Sequence, residues 1–177
     1  LKRALGFGTG HLSLYQLTIE PGTRFATLVR EGTLAPLDDD AAGDLFNLTR
    51  EMTAAAGLPA YETSNHARSG EESRHNLTYW RYQDYVGIGP GAHGRRLGMA
   101  TVRHKKPENF LRAHADQNHG IAEERALTPS DQAMEAVLMG LRLIEGIAPA
   151  KLAARFGFAE AELINPAKRQ FYTSIGH

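Results

Sequence analysis

Seven residues in the middle of the chain, Arg74-His75-Asn76-Leu77-Thr78-Tyr79-Trp80, bring together an imidazole, an amide and two aromatic rings. A flat, iron-containing ligand such as haem needs those groups: an imidazole for the iron, rings for its faces and a polar anchor. In a helical turn His75 and Tyr79, four residues apart, would share a face. The plainer alternatives are a solvated or hydrogen-bonded histidine, one of eight in the chain, and Tyr79 and Trp80 as core anchors with satisfied polar tips. His66, Arg68 and Arg74 flank the same stretch. An arginine fork suits a carboxylate, whereas a solvated basic loop balanced by Glu71 and Glu72 is the bland alternative.

A second candidate is Gly87-Ile88-Gly89-Pro90-Gly91-Ala92-His93-Gly94. Glycines after a strand allow close backbone approach, and their N–H groups can hold an anion. The spacing is not that of a dinucleotide fingerprint, and Pro90 lacks a donor, so a tight turn is the competing account. Glu20 and Glu62 stand at predicted strand ends, but neither is paired with a nucleophile. There is no HExxH, no G-x-S-x-G and no P-loop.

The elements that position these groups follow from periodicity. Residues 12–19 alternate apolar and polar and predict a strand, closed by a turn at Glu20-Pro21-Gly22-Thr23. Asp38-Asp39-Asp40 predicts a helix start, Leu45, Leu48, Met52, Ala55 and Ala56 continue it, and Gly57 with Pro59 stops it. A strand at 60–63, a long loop over 64–82 and a short strand at 84–89 are expected next. A further strand over 98–104, a helix from Pro107 to Asn118 and a last strand from Ile121 to Leu127 complete this part. Thr128, with Asp131 three positions on, predicts a helix running to Leu143, and the tail 149–177 reads as two or three short helices. The pattern therefore changes near Thr128, giving expected domains of 1–127 and 128–177.

The 177 residues suffice for one domain, or one with a small appendage. Basic and acidic residues number 20 each, which argues against nucleic acid or an anionic membrane as the main partner. No apolar run approaches the length of a membrane span. Cysteine is absent, so this stretch has no disulfide and no thiolate for zinc or an iron–sulfur cluster, which fits a cytosolic protein. A start without Met and an abrupt end in Ile175-Gly176-His177 suggest a piece of a longer protein.

Four blocks then carry a resemblance: the stretch from Leu12 to Thr23, Tyr61-Glu-Thr-Ser-Asn-His-Ala-Arg68, His75-Asn-Leu-Thr-Tyr-Trp80 and Gly87-Ile-Gly-Pro-Gly-Ala-His93. In this order they resemble the radical-SAM family that holds HemW-type haem chaperones and oxygen-independent coproporphyrinogen III oxidase-like proteins. The resemblance implies an α/β fold, the C-terminal part of a partial (β/α) barrel, followed by a small helical domain. It also implies S-adenosylmethionine and a [4Fe–4S] cluster, both for the full-length protein only. The cluster cysteines of that family lie upstream of anything seen here, so the chain alone is expected to lack radical chemistry. The family's haem motif, H-N-x-x-Y-W, falls on His75, Asn76, Tyr79 and Trp80, with His75 as the implied iron ligand. By position in the blocks, Thr18, Gly87, Gly89, Gly91 and His93 align near the family's S-adenosylmethionine pocket. The expected function is haem binding and transfer in the cytoplasm, with haem-accepting respiratory proteins as partners and peripheral membrane association an open alternative. Two others stay open: porphyrinogen decarboxylation by the full-length protein, and a purely structural role. Unpaired strand edges leave the oligomeric state open as well.

Overall fold

A computed structural model describes residues 1–175; the last two residues of the expected tail, 176 and 177, lie outside it. The chain divides into two compact units, Leu1–Ser73 and Arg74–His177. The change to helix alone that the sequence shows at Thr128 falls inside the second unit.

The first unit contains α1 (Lys2–Leu5), β1 (His11–Ser13), α2 (Arg24–Arg30), α3 (Asp39–Ala55) and β2 (Asn65–Ala67). Local chemistry sets the helix ends. Thr23 caps α2 by accepting from Ala26 N–H, and Asp38 caps α3 by accepting from Ala41 N–H at 2.8 Å. Past α3, Gly57 takes a φ of 76°, the left-handed conformation that lets the chain turn away. The apolar row that marks α3 in the sequence is not its buried face: Leu45 and Leu48 are exposed, while Thr53 is fully buried. β1 and β2 pair antiparallel, His11 opposite Ala67 and Ser13 opposite Asn65.

Two strand expectations need correcting here. The strand over 12–19 ends at Ser13, with one further bond from Leu14 N–H to Ser64 O. Alternation confers strand propensity, but a ladder needs a partner, and β2 is only three residues long. The strand expected at 60–63 is instead a tight reversal: Ala60 bridges His66, Tyr61 N–H donates to Asn65 O, and the returning arm becomes β2.

The second unit contains α4 (Arg74–Trp80), β3 (His93–Arg96), β4 (Met99–Arg103), α5 (Pro107–Gln117), β5 (Ile121–Ala126), α6 (Pro129–Gly140), α7 (Pro149–Phe156), α8 (Glu160–Leu163) and α9 (Pro166–Ser174). The strands form an antiparallel sheet in the order β3-β4-β5. Leu97 and Gly98 join β3 to β4 with φ of 52° and 73°, the doubly positive pair that a tight hairpin uses. Asn118, left-handed at φ 61°, ends α5. Thr128 and Asp131 form a reciprocal capping box at the start of α6. The buried residues include Tyr82, Leu127, Ala133, Ala136, Leu143 and Ala153.

The 64–82 stretch is corrected from loop to β2 followed by α4. Its polar composition hid the helix because a seven-residue segment offers barely two turns of periodicity. The strand expected at 84–89 is reduced to one bridge, Tyr85 with Arg95, since Gly89 adopts φ 94° and breaks the extended run. The helix expected to reach Leu143 stops at Gly140, where a Cβ would strike Ile147. The fold class stands as mixed α/β with a helical C-terminal part, and every strand pairing among the described residues is antiparallel.

Candidate functional site

Helix α4 carries the first candidate cluster. Thr78 Oγ1 donates to Arg74 O at 2.8 Å, and the helix closes with Arg81 N–H on Leu77 O and Gln83 N–H on Thr78 O. Tyr82, at φ 52°, turns the chain out of the helix. One helical turn places His75 and Tyr79 together: His75 Nε2 is 2.7 Å from the Tyr79 hydroxyl, and the rings meet edge to face at 4.6 Å. His75 is exposed, Asn76 and Tyr79 half-buried. The other ring nitrogen, Nδ1, makes no hydrogen bond among the described residues.

Trp80 belongs to a different face. It lines an open cavity of about 390 Å³ with Tyr82, Ala136, Gly140, Leu143 and Leu152, while Arg142 places its guanidinium carbon 4.4 Å from the ring centre. Its indole Nε1 is buried without a hydrogen-bond partner among the described residues. The four motif residues are therefore not gathered round one point.

Behind Tyr79 lies a network that sequence reasoning missed. The Tyr79 ring meets Tyr85 edge to face at 4.4 Å. Tyr85 and Arg95 exchange two backbone hydrogen bonds, at 2.7 and 3.0 Å. The Arg95 side chain, 8 % exposed, stacks on Tyr82 at 3.5 Å, reaches Tyr85 at 5.4 Å and donates to Gln83 O at 3.0 Å. Glu135 of α6 accepts from the Tyr82 hydroxyl at 2.6 Å and stands 3.9 Å from Arg95 Nη1. Burial first, and then the bond to Glu135, hold the Tyr82 phenol well above its ordinary range; burial also raises Tyr85. Only Tyr82 and Tyr85, following the motif as aromatics, give a sequence signal. Arg95 is one of two adjacent arginines and looks like any hairpin cation.

The second candidate is a folded turn. Gly89 and Gly91 have φ of 94° and 72°, which accounts for their identity. Gly91 N–H donates to His104 O, Ala92 N–H to Gly89 O, and Gly87 O accepts from Arg103 Nε at 2.5 Å. Those groups are spent on the turn itself. His93 opens β3 and is exposed. Thr18, exposed after β1, belongs to the first unit and the glycine turn to the second.

The remaining candidates separate in the same way. In the first unit, Arg68 donates to Gly8 O at 3.2 Å and stands 3.8 Å from Glu71. Arg74 opens the second unit, exposed. His66 is buried, its Nδ1 2.9 Å from Thr53 Oγ1. Burial foremost, and then Arg50, lower its pKa below 6.5, against a smaller raising influence from Glu62. Glu62, fully buried, accepts from Ser64 N–H, Ser64 Oγ and Asn65 Nδ2, and Ser13 Oγ meets Asn65 Oδ1 at 2.5 Å. Glu62 is thus a structural acceptor at a turn. Glu20 is exposed, and its carbonyl accepts from Thr23 Oγ1.

The fold of this chain has a counterpart among solved structures. It matches a solved Escherichia coli structure described as "Coproporphyrinogen III oxidase (HemN) from Escherichia coli is a Radical SAM enzyme" with a TM-score of 0.66, over 91% of this chain and 40% of that one. At 14% identity the likeness is one of fold. Sequence relatives are nearer. The heme chaperone HemW of Escherichia coli is 36% identical over 174 residues, 94% of this chain and 43% of that protein. Its Bacillus subtilis counterpart is 31% identical over 89% of this chain and 41% of its own length. The mouse mitochondrial "radical S-adenosyl methionine domain-containing protein 1" is 38% identical over 83% of this chain and 35% of its own length. No family model matches. The chain is thus homologous to proteins named heme chaperone HemW and radical S-adenosyl methionine domain-containing protein 1, and spans less than half the length of the relatives it matches.

Proposed function

We propose that the chain is the haem-handling part of a HemW-type haem chaperone, taking haem on His75 of α4 and passing it on. The observation that carries this reading is the exposed His75, hydrogen-bonded to Tyr79 one turn later, within a sequence whose relatives are named haem chaperones. The donor set fits the group: haem iron takes an imidazole lone pair, and His75 is open to solvent with one ring nitrogen uncommitted. When bound, the iron would supply a Lewis-acid centre for that imidazole. Tyr79 would orient the ring, Asn76 would serve as a polar anchor beside it, and Arg74, on the same short helix, would meet a propionate. Haem-accepting proteins are the implied partners, and the cytoplasm is the implied compartment. No described helix is long and apolar enough to cross a membrane.

The relatives' radical-SAM name brings S-adenosylmethionine and a [4Fe–4S] cluster with it. A cluster does not fit the residues present, since the chain has no cysteine and no group of three or more metal-binding side chains is found among the described residues. Thr18, Gly87, Gly89, Gly91 and His93 remain the proposed S-adenosylmethionine contacts, by alignment with the family alone. The rival reading, a structural α4, draws on Trp80, which lines a cavity with residues of α6 and α7.

The test is a hemin titration of the chain beside His75→Ala. A Soret change that shrinks in the variant supports the haem reading. An identical change in both proteins removes His75 from it, and no change in either favours the structural one.

A further inference from the structure

A metal-bound histidine is normally oriented by a hydrogen bond at its other ring nitrogen, which fixes the tautomer and leaves one lone pair for the metal. In α4 that hydrogen bond is already formed: His75 Nε2 and the Tyr79 hydroxyl are 2.7 Å apart, one turn apart on one face. Tyr79 is also contacted from behind. Its ring is braced edge to face on Tyr85 at 4.4 Å. Tyr85 is in turn bonded twice to the backbone of Arg95, whose side chain stacks on Tyr82 and faces Glu135. An iron arriving at Nε2 would have to break the Tyr79 bond and work against that brace. An iron arriving at Nδ1, which has no partner among the described residues, leaves the Tyr79 bond in place.

We propose that His75 presents Nδ1 to iron, as the Nε2–H tautomer donating to the Tyr79 oxygen, with Tyr79 acting as a positioning residue braced by Tyr85 and Arg95. The proposal rests on the haem reading above and adds the choice of ring nitrogen and the residue that makes it. It also assigns Tyr79 a role other than packing against the macrocycle. The bond fixes the tautomer and the orientation of the ring, as hydrogen bonds to the other nitrogen do at metal-bound histidines.

The experiment uses the whole 177-residue chain labelled with ¹⁵N-histidine. Long-range ¹H–¹⁵N spectra give the protonated nitrogen of His75, assigned by the signals lost in His75→Ala. Without ligand, the expected result is Nε2–H in the parent and a mixture of tautomers in Tyr79→Phe. With gallium protoporphyrin, a diamagnetic stand-in for haem, Nδ1 of His75 should shift and Nε2 should keep its proton. Hemin affinity should fall about 10–100-fold in Tyr79→Phe, with the melting temperature nearly unchanged, since the ring contacts remain. A metal shift on Nε2, or an unchanged tautomer and affinity in Tyr79→Phe, overturns the proposal while leaving haem binding intact. Equal hemin binding by the parent and His75→Ala overturns the haem reading itself, and this proposal with it.

Discussion

The guanidinium carbon of Arg95 stands 3.5 Å from the centre of the Tyr82 ring, and both side chains converge on one carboxylate, Glu135. This pairing joins the β3–β4 hairpin to α6 and to the end of α4. Charge, stacking and a hydrogen bond share one buried spot, so substitutions should separate them. Glu135→Ala leaves a buried phenol and a buried guanidinium short of an acceptor, and should cost about 1–3 kcal/mol. The lower half of that range is expected, because Glu135 is about one-third exposed. Arg95→Lys keeps the charge but loses the flat face that stacks on Tyr82, for a loss of about 1–2 kcal/mol. Urea midpoints at pH 7 measure both.

His66 makes the first unit sensitive to acid. Burial lowers its pKa below the ordinary 6.5, Arg50 and His11 lower it further, and Glu62 opposes them. The unfolded chain therefore binds more protons than the folded one as pH drops below 6.5, so stability rises with pH in that window. His66 adds its full share above about pH 6.5 and loses it progressively as pH falls through the folded value. Urea midpoints followed from pH 7.5 to 5 should decline, and His66→Gln should flatten that decline. An equal slope in both proteins would remove His66 as its source.

How far the sequence reveals this architecture depends on where the deciding contact lies. α3, α5 and α6 were legible because their start signals are local: the caps Asp38 and Thr128 with Asp131, and Pro107 in the first turn of α5, sit where the helices begin. That residues 15–19 find no ladder partner among the described residues was not legible, because a ladder depends on a strand brought up from elsewhere. Within the site, the His75–Tyr79 bond was legible as a four-residue spacing, conditional on a helix that the polar composition hid. Arg95 and Glu135 were not: they lie 40 residues apart, and neither the hairpin nor the helix carries a mark that both meet Tyr82 and each other. For the fully buried Glu62 the sequence shows a charge with no nucleophile beside it, and not the three donors that occupy it.

Gly120 precedes β5, and a Cβ placed there would enter the Phe110 ring of α5. The glycine is kept by this close approach. Gly120→Ala should force the ring aside and destabilise the chain by about 1–3 kcal/mol. Pairing it with Phe110→Leu, which removes the edge of the ring, should recover part of the loss. A strictly additive double variant, in a denaturant series, would show that the two positions do not collide.

The motif itself divides by face, which yields a prediction at each end of α4. Trp80 follows His75 by five residues, which sets the two about 140° apart around the helix. His75 is on the exposed side, while Trp80 lines the cavity with Leu143 and Leu152 under the Arg142 guanidinium. Trp80→Phe keeps an aromatic ring under that cation but loses volume, so it should lower stability by about 1 kcal/mol and leave the hemin-induced Soret change of the parent in place. His75→Ala, exposed and making one side-chain hydrogen bond, should shift the denaturation midpoint little and diminish the Soret change. Both readouts on both variants form a two-by-two comparison. Loss of the Soret change in Trp80→Phe at unaltered stability would place Trp80 against the porphyrin and contradict the division by face.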